Sequence, residues 1–380
     1  MFPVTTVGSW PRPPHVLRAL RRLRRQECDR AAFDAVVNPE VIALLRLQAD
    51  IGCDIVTDGE LRRDNFYSFV AQKLAGVRLM TLAELLEVVE DKAGFERLLQ
   101  TLDVPAYAIS SPICVDRLAR RQPLALDDLR FVRQHTTLPV KVTLPGPYLL
   151  MRAMFLPELT RAAYASKEAL AQDVVAVLRD ELADLVAAGA DFVQFDEPVL
   201  TEVAFAPGRT RTFMCAALAA KKDPAEELEL AVSLINQVVA GSTGVRLGVH
   251  LCRGNWSRDE TTLLSGTYQP LASYLTRLEV DQLVLEYATE RAGDVMAIGK
   301  EIGLGVVNPR TDAVESPTQI VASVERALAS YAPEQIFLNP DCGFGTFANR
   351  PMNAWEVAAD KLRAMVEAAH VLRRSAPRPG

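Results

Sequence analysis

Eight short apolar runs, each followed by a longer polar or helix-forming stretch, set the tightest limit on what this chain can fold into. They are Pro3–Val7, Asp54–Thr57, Pro139–Leu144, Asp191–Phe195, Val245–His250, Gln282–Glu286, Gly303–Val307 and Gln335–Leu338. Near-continuous apolar runs of this length suit strands covered on both faces. Strands that alternate with helices build a parallel sheet from βα units. The intervening stretches read as helices. Asp223–Val239 opens with Asp223, Glu226, Glu227 and Glu229, acids that a helix dipole favours at its start. Ser166–Ala188 and Met352–Arg373 are rich in Ala, Leu, Arg and Glu. The expected fold is therefore α/β, a single (β/α)8 TIM barrel occupying 1–380 as one domain. Two stretches interrupt the beat and are expected as insertions, about 72–116 after the second strand and 201–244 after the fourth. The tail Ser375–Gly380 is expected to fray.

Charge and hydropathy narrow the partners. Apolar residues make up 49% and charged residues 24%, which suits a globular chain with a large core. The formal net charge of −6 argues against nucleic acid, which calls for clustered Lys and Arg. The basic run Arg18–Arg25 reads as a solvated helix face. No run of about 18 apolar residues offers a membrane span. The opening MFPVTTVGSWPRPP lacks the layout of a secretory signal, so a cytoplasmic location is expected. Six cysteines scattered over such a chain do not form a disulfide framework there.

In a barrel of this kind the chemistry gathers where strands end. The runs end in Gly8-Ser9-Trp10, Asp58-Gly59-Glu60, Pro145-Gly146-Pro147, Asp196-Glu197-Pro198, His250-Leu251-Cys252, Glu286, Asn308-Pro309-Arg310 and Asn339-Pro340-Asp341-Cys342-Gly343. Three ends, expected to be adjacent, carry His250 with Cys252, then Glu286, then Cys342. One imidazole, one carboxylate and two thiolates make a donor set that suits Zn2+. The i, i+2 spacing of His250 and Cys252 points both side chains to one face of a strand. Singly, each is explained as well by core packing; their shared placement at one end is not. Cys28, Cys53 and Cys215 show no such clustering.

These motifs resemble the catalytic half of cobalamin-independent methionine synthases. TTVGSWP, DGELRRDN, QFDEPVL, VHLCRGN, LEYATER and LNPDCGFGT carry the likeness over nearly the whole chain. The resemblance implies zinc held by His250, Cys252, Glu286 and Cys342. It implies a thiol substrate, homocysteine, contacted at Gly8, Ser9, Glu60 and Asp196. A carboxylate pair can hold an α-amino group; the Gly8–Ser9 turn offers N–H and hydroxyl to an α-carboxylate. The implied activity is a zinc-dependent S-methyltransferase of methionine biosynthesis, with Asp196 and Glu286 as catalytic residues.

Three departures bear on the methyl donor. The related N-terminal half that helps to bind polyglutamated folate does not match within this chain. Arg310 stands where the family has a proton-donating histidine, and guanidinium is a poor acid that would instead hold an anion. Ala153 falls near the family's folate-stacking aromatic. The donor is accordingly a folate, a methyl-corrinoid or a sulfonium. Two alternatives stand beside this reading: an epoxyalkane–coenzyme M transferase-type thiol alkyltransferase, and a zinc-binding barrel without catalysis. Uroporphyrinogen decarboxylases share only the barrel type. Assembly into a homo-oligomer stays open.

Overall fold

The computed structural model describes residues 1–89, 92–93, 96, 110–205, 223–260, 263–348 and 351–375. Cys215 and residues 376–380 of the expected frayed tail lie outside them.

Six parallel strands form one sheet in the order β3-β4-β5-β6-β7-β8. They are β3 (Lys141–Pro145), β4 (Phe192–Asp196), β5 (Arg246–Leu251), β6 (Gln282–Leu285), β7 (Glu301–Val307) and β8 (Ile336–Pro340). Chain neighbours are sheet neighbours throughout, the order that consecutive βα units give. Each strand falls within two residues of its expected run. The first two expected strands are reduced to single parallel bridges: Val4 with Leu338 of β8, and Val56 with Val140 beside β3. The Val4 carbonyl accepts from the N–H groups of Asp54 at 3.0 Å and Ile55 at 3.3 Å, so these two segments also touch.

The sheet is strongly curled. Lys141 on β3 and Asn339 on β8 stand at opposite sheet edges, yet Lys141 Nζ lies 3.5 Å from Asn339 Oδ1. In a flat sheet five strand spacings would separate them by roughly 24 Å. Register then fixes what faces inward. Lys141 pairs with Phe192, Thr143 with Gln194, Gln194 with Gly248, and Asp196 with His250. With a period of two, Lys141, Thr143, Gln194, Asp196, Gly248 and His250 share the inner face. Val142, Leu144, Val193, Phe195 and Val249 alternate with them and join the main apolar core.

The helices start where their caps dictate. Lys167–Ala187 begins after Ser166, whose side chain accepts from the Ala169 N–H. Pro224–Val239 begins after Asp223, which accepts from Ala225 and Glu226, with Pro224 in the first turn. Trp355–Ser375 closes the chain and packs on β7, β8 and the helix Arg30–Ile51. The basic run lies on the helix Pro14–Arg24, with Arg18, Arg21, Arg22 and Arg24 exposed as expected. No described helix is long and apolar enough to cross a membrane. At the stretch expected as the first insertion, β1 (Leu74–Thr81) pairs antiparallel with β2 (Ser110–Arg120), which runs past the expected end at about 116.

Glu181, buried on the helix Lys167–Ala187, anchors the return from this hairpin. Its carboxylate accepts from the N–H groups of Leu124 (2.6 Å), Ala125 (2.7 Å) and Leu126 (3.1 Å) and from Arg120 (2.5 Å). Glu181→Leu is expected to cost about 3–5 kcal/mol, since it strands buried donors and half of an ion pair. A lower denaturant midpoint at unchanged m would show this.

Candidate active site

The ends of the inner-face strands converge on one cavity of about 580 Å³, part of it open to solvent. Ser9, Glu60, Asp196, His250, Cys252 and Cys342 all line it. Each follows or ends an expected strand, so the curl assembles residues that the chain spaces over more than three hundred positions.

His250 Nδ1 or Nε2, Cys252 Sγ and Cys342 Sγ lie within 4.8 Å of one another, all buried. Neither ring nitrogen of His250 has a hydrogen-bond partner. An imidazole buried in this way lacks the partner that such groups nearly always have. One cation coordinated by all three residues would satisfy it, and the His/Cys/Cys set is the chemistry of a zinc or similar borderline-soft metal. The two thiols are driven apart: with Cys252 donating to it, Cys342 falls well below the usual thiol range, and Cys252 rises well above it. Cys342 also differs from the sequence expectation in its approach. Its strand is separated from β6 by β7, so it reaches His250 and Cys252 across the end of the curled sheet.

Glu286, expected as the fourth donor, stands beside this group but outside it. Its Oε1 accepts from the Arg253 N–H at 3.0 Å and from Asn255 Nδ2, and its Oε2 from Arg291 at 3.0 Å. Three protein donors therefore hold the carboxylate, which is fully buried. Nor does it line the cavity.

Glu60 and Asp196 are the acidic groups of the cavity. Glu60 is buried. Thr143 Oγ1 donates to Glu60 Oε1 at 2.7 Å, and Oε2 is left without a partner. Burial raises its carboxyl above the usual range, against the pull of Arg63. The residue sits at φ +52°, a left-handed conformation that non-glycine residues adopt only when held. Its N–H donates to Asp58 Oδ1 at 3.0 Å, and its carbonyl accepts from Arg12 at 2.7 Å. Asp196 accepts from Gln194 Nε2 at 2.8 Å, and burial pushes its carboxyl up to about 7.

Two glycines make the close approaches possible. A Cβ on Gly8 would stand 2.5 Å from Glu60 Oε1 and 2.8 Å from Thr143 Cγ2. A Cβ on Gly343 would stand 2.0 Å from Ser9 Oγ. Only glycine at 343 thus lets the serine hydroxyl stand beside Cys342.

Arg310, expected to bind an anion, is committed to protein. Its Nε donates to Asn255 Oδ1 at 3.1 Å and its Nη2 to Glu260 at 2.8 Å. The acids nearby in sequence, Asp312 and Glu315, pair instead with Arg258 and Lys361. Ala153 is buried within the helix Pro147–Met154 and does not line the cavity. Sequence reasoning missed the aromatic wall of Phe66, Trp256 and Phe347, which comes from loops with no periodic signal. It also missed Asn255, which accepts from Arg291 and Arg310 and donates to Glu286. Its one signal was its place in VHLCRGN.

The family model described as "Cobalamin-independent synthase, Catalytic domain" matches residues 2–371. A protein named methionine synthase from Thermococcus kodakarensis is 29% identical over 385 residues, covering 100% of this chain and 96% of its own length. A 5-methyltetrahydropteroyltriglutamate–homocysteine methyltransferase from Thermosynechococcus vestitus is 28% identical over 98% of this chain and 43% of its own. Among solved structures, a B12-independent methionine synthase from Shewanella in complex with selenomethionine superposes with a TM-score of 0.73 at 21% identity, covering 98% of both chains. This last likeness is one of fold.

Gly8→Ala is expected to push Glu60 off Thr143 and to destabilise the protein by about 1–3 kcal/mol, the cost of overpacking a filled site. Thermal denaturation reads the loss, and a crystal structure of the variant should show the carboxylate displaced.

Proposed function

Since this chain belongs to the cobalamin-independent synthase catalytic-domain family, we propose that it transfers a methyl group to the thiol of homocysteine in methionine biosynthesis, with Zn2+ as its cofactor. The observation that carries this reading is the meeting of His250, Cys252 and Cys342 on the wall of a cavity that also holds Ser9, Glu60 and Asp196. A single (β/α)8 barrel over 1–380, with insertions at about 72–116 and 201–244, is the fold that goes with it. The curl of the sheet, the bridges at Val4 and Val56, and the hairpin β1–β2 support that fold.

In this reading His250, Cys252 and Cys342 hold the zinc. When bound, the metal supplies an open coordination position at which a substrate thiol loses its proton near neutral pH. Three protein ligands and one open position are the pattern of catalytic rather than structural zinc. Glu286, held by Arg253, Asn255 and Arg291, is then a charged neighbour that a movement could bring to the metal, or that stays in place to orient the loop after β5. Glu60 and Asp196 take the α-ammonium of the substrate, and Gly8 with Ser9 takes its α-carboxylate. Phe66, Trp256 and Phe347 cover the approach and keep water from the sulfur. The sulfur lone pair forms the new S–C bond in line as the donor–carbon bond breaks, and the leaving group takes that electron pair. A folate leaving group needs a proton as well. A corrinoid or a sulfonium does not, which suits a site where Arg310 stands for the family's histidine.

The two acids favour an amino-acid thiol over a sulfonate such as coenzyme M, which would bring negative charge against Glu60 and Asp196. Zinc K-edge X-ray absorption, with and without homocysteine, tests the centre. One additional zinc–sulfur contact is expected with homocysteine and none with coenzyme M. A shell that ignores every thiol would mean a structural metal, and gain with coenzyme M alone would overturn the substrate. His250→Ala and Cys342→Ser are each expected to reduce bound zinc to a trace in elemental analysis of the purified protein. Methyl transfer from methylcobalamin, methyltetrahydrofolate and a sulfonium, assayed side by side, identifies the donor.

A further inference from the structure

A lysine lies below the cavity that the proposed chemistry does not use. Lys141 is 1% exposed, on the inner face of β3. Its Nζ donates to Gln194 Oε1 at 3.2 Å and lies 3.5 Å from Asn339 Oδ1. The ring of Phe192 sits 5.2 Å from Nζ and closes the side away from the cavity. No carboxylate pairs with it directly among the described residues. A buried ammonium paired only with amides is a costly way to fill space that a methionine would fill without a charge.

Gln194 connects this ammonium to the cavity, and its orientation is forced at three points. Its Nε2 lies 3.0 Å from the Val7 carbonyl, which can only accept, so the NH2 end faces Val7. The second Nε2 hydrogen is directed at Asp196 Oδ1, 2.8 Å away. Its Oε1 is thereby left facing Lys141, which can donate to it. A flipped amide would set oxygen against two oxygens and nitrogen against the ammonium. Lys141, Gln194 and Asp196 thus form one hydrogen-bonded chain running from the sheet interior to the cavity wall, with Lys141 and Gln194 donating and Asp196 accepting.

We propose that Lys141, acting through Gln194, orients the Asp196 carboxylate toward the α-ammonium of the substrate, so that both are positioning residues that set selectivity for amino-bearing thiols. This rests on the reading of Asp196 given above. Polarisation along the chain strengthens each bond, as linked hydrogen bonds do in a low-dielectric interior. The positive charge also offsets the two acids: burial lowers Lys141, Asp196 and Glu60 oppose that, and the balance leaves it at about 7.

The test compares L-homocysteine with 4-sulfanylbutanoate, the same chain without the amino group, by calorimetry on the full chain with its zinc content verified. The wild type is expected to prefer homocysteine by roughly tenfold or more, the worth of one charge-assisted contact. Lys141→Met and Gln194→Met, each checked by thermal melting, are expected to bring the ratio near one by weakening homocysteine alone. Variants that keep the wild-type ratio, or weaken both thiols equally, would overturn the proposal. A wild type without preference would instead sink the prior assignment of Asp196, and this proposal with it. Should either variant fail to fold, the other decides. Independently, a high-resolution structure of the wild type with homocysteine shows the Gln194 amide; Oε1 turned toward Asp196 would overturn the relay.

Discussion

Everything in this molecule that bears on chemistry depends on the curl of the parallel sheet. Strands hydrogen-bond edge to edge at a fixed spacing, so a flat sheet of six would keep β3 and β8 far apart. Here their side chains come within reach of each other through Lys141 and Asn339. Once the sheet bends that far, its inner face becomes an interior, and the strand ends point into one small volume. Cys342 meets His250 and Cys252 for this reason, although two strands separate theirs in the order.

Bending also creates a problem of polarity. The inner face carries Lys141, Thr143, Gln194, Asp196, Gln282 and Asn339, all nearly excluded from solvent. Burying such groups costs free energy unless they bond to one another. Lys141, Thr143, Gln194 and Asp196 do so, while Gln282 Oε1 and Asn339 Nδ2 are left without partners. Lys141 and Gln194 are held from within, whereas Glu60 Oε2 and both nitrogens of His250 are without partners at the cavity. Burial of unpartnered groups on the cavity wall marks where a ligand belongs. It also explains the raised carboxyls of Glu60 and Asp196, groups desolvated by the fold and awaiting a positive partner.

The backbone is shaped to the same end. Glu60 is held at positive φ by contacts from Asp58 and Arg12, and Arg12 also donates to the Gly345 carbonyl, joining three loops around the cavity. Local strain of this kind persists only where the surroundings over-determine it. Glycine at 8 and 343 completes the arrangement by leaving room where a methyl group would collide with Glu60 or Ser9.

Much of this was legible in the chain itself. Apolar runs and caps such as Ser166 and Asp223 placed six strands and the long helices to within a few residues, because period and capping are local properties. The rule that polar residues after strands gather at one end was enough to nominate His250, Cys252 and Cys342, and the resemblance to the family added Ser9, Glu60 and Asp196. What sequence could not decide was which donors face each other. Glu286 and Arg310 have the right chemistry and the right position along their strands, yet Asn255, Arg291 and Glu260 engage them first. Lys141 and Gln194 carry no local signal of a shared role; register places them on one face with Asp196. Periodicity tells a residue which side it faces; only the closed three-dimensional arrangement decides what it meets there, since hydrogen-bond partners are chosen by distance in space and not by distance along the chain.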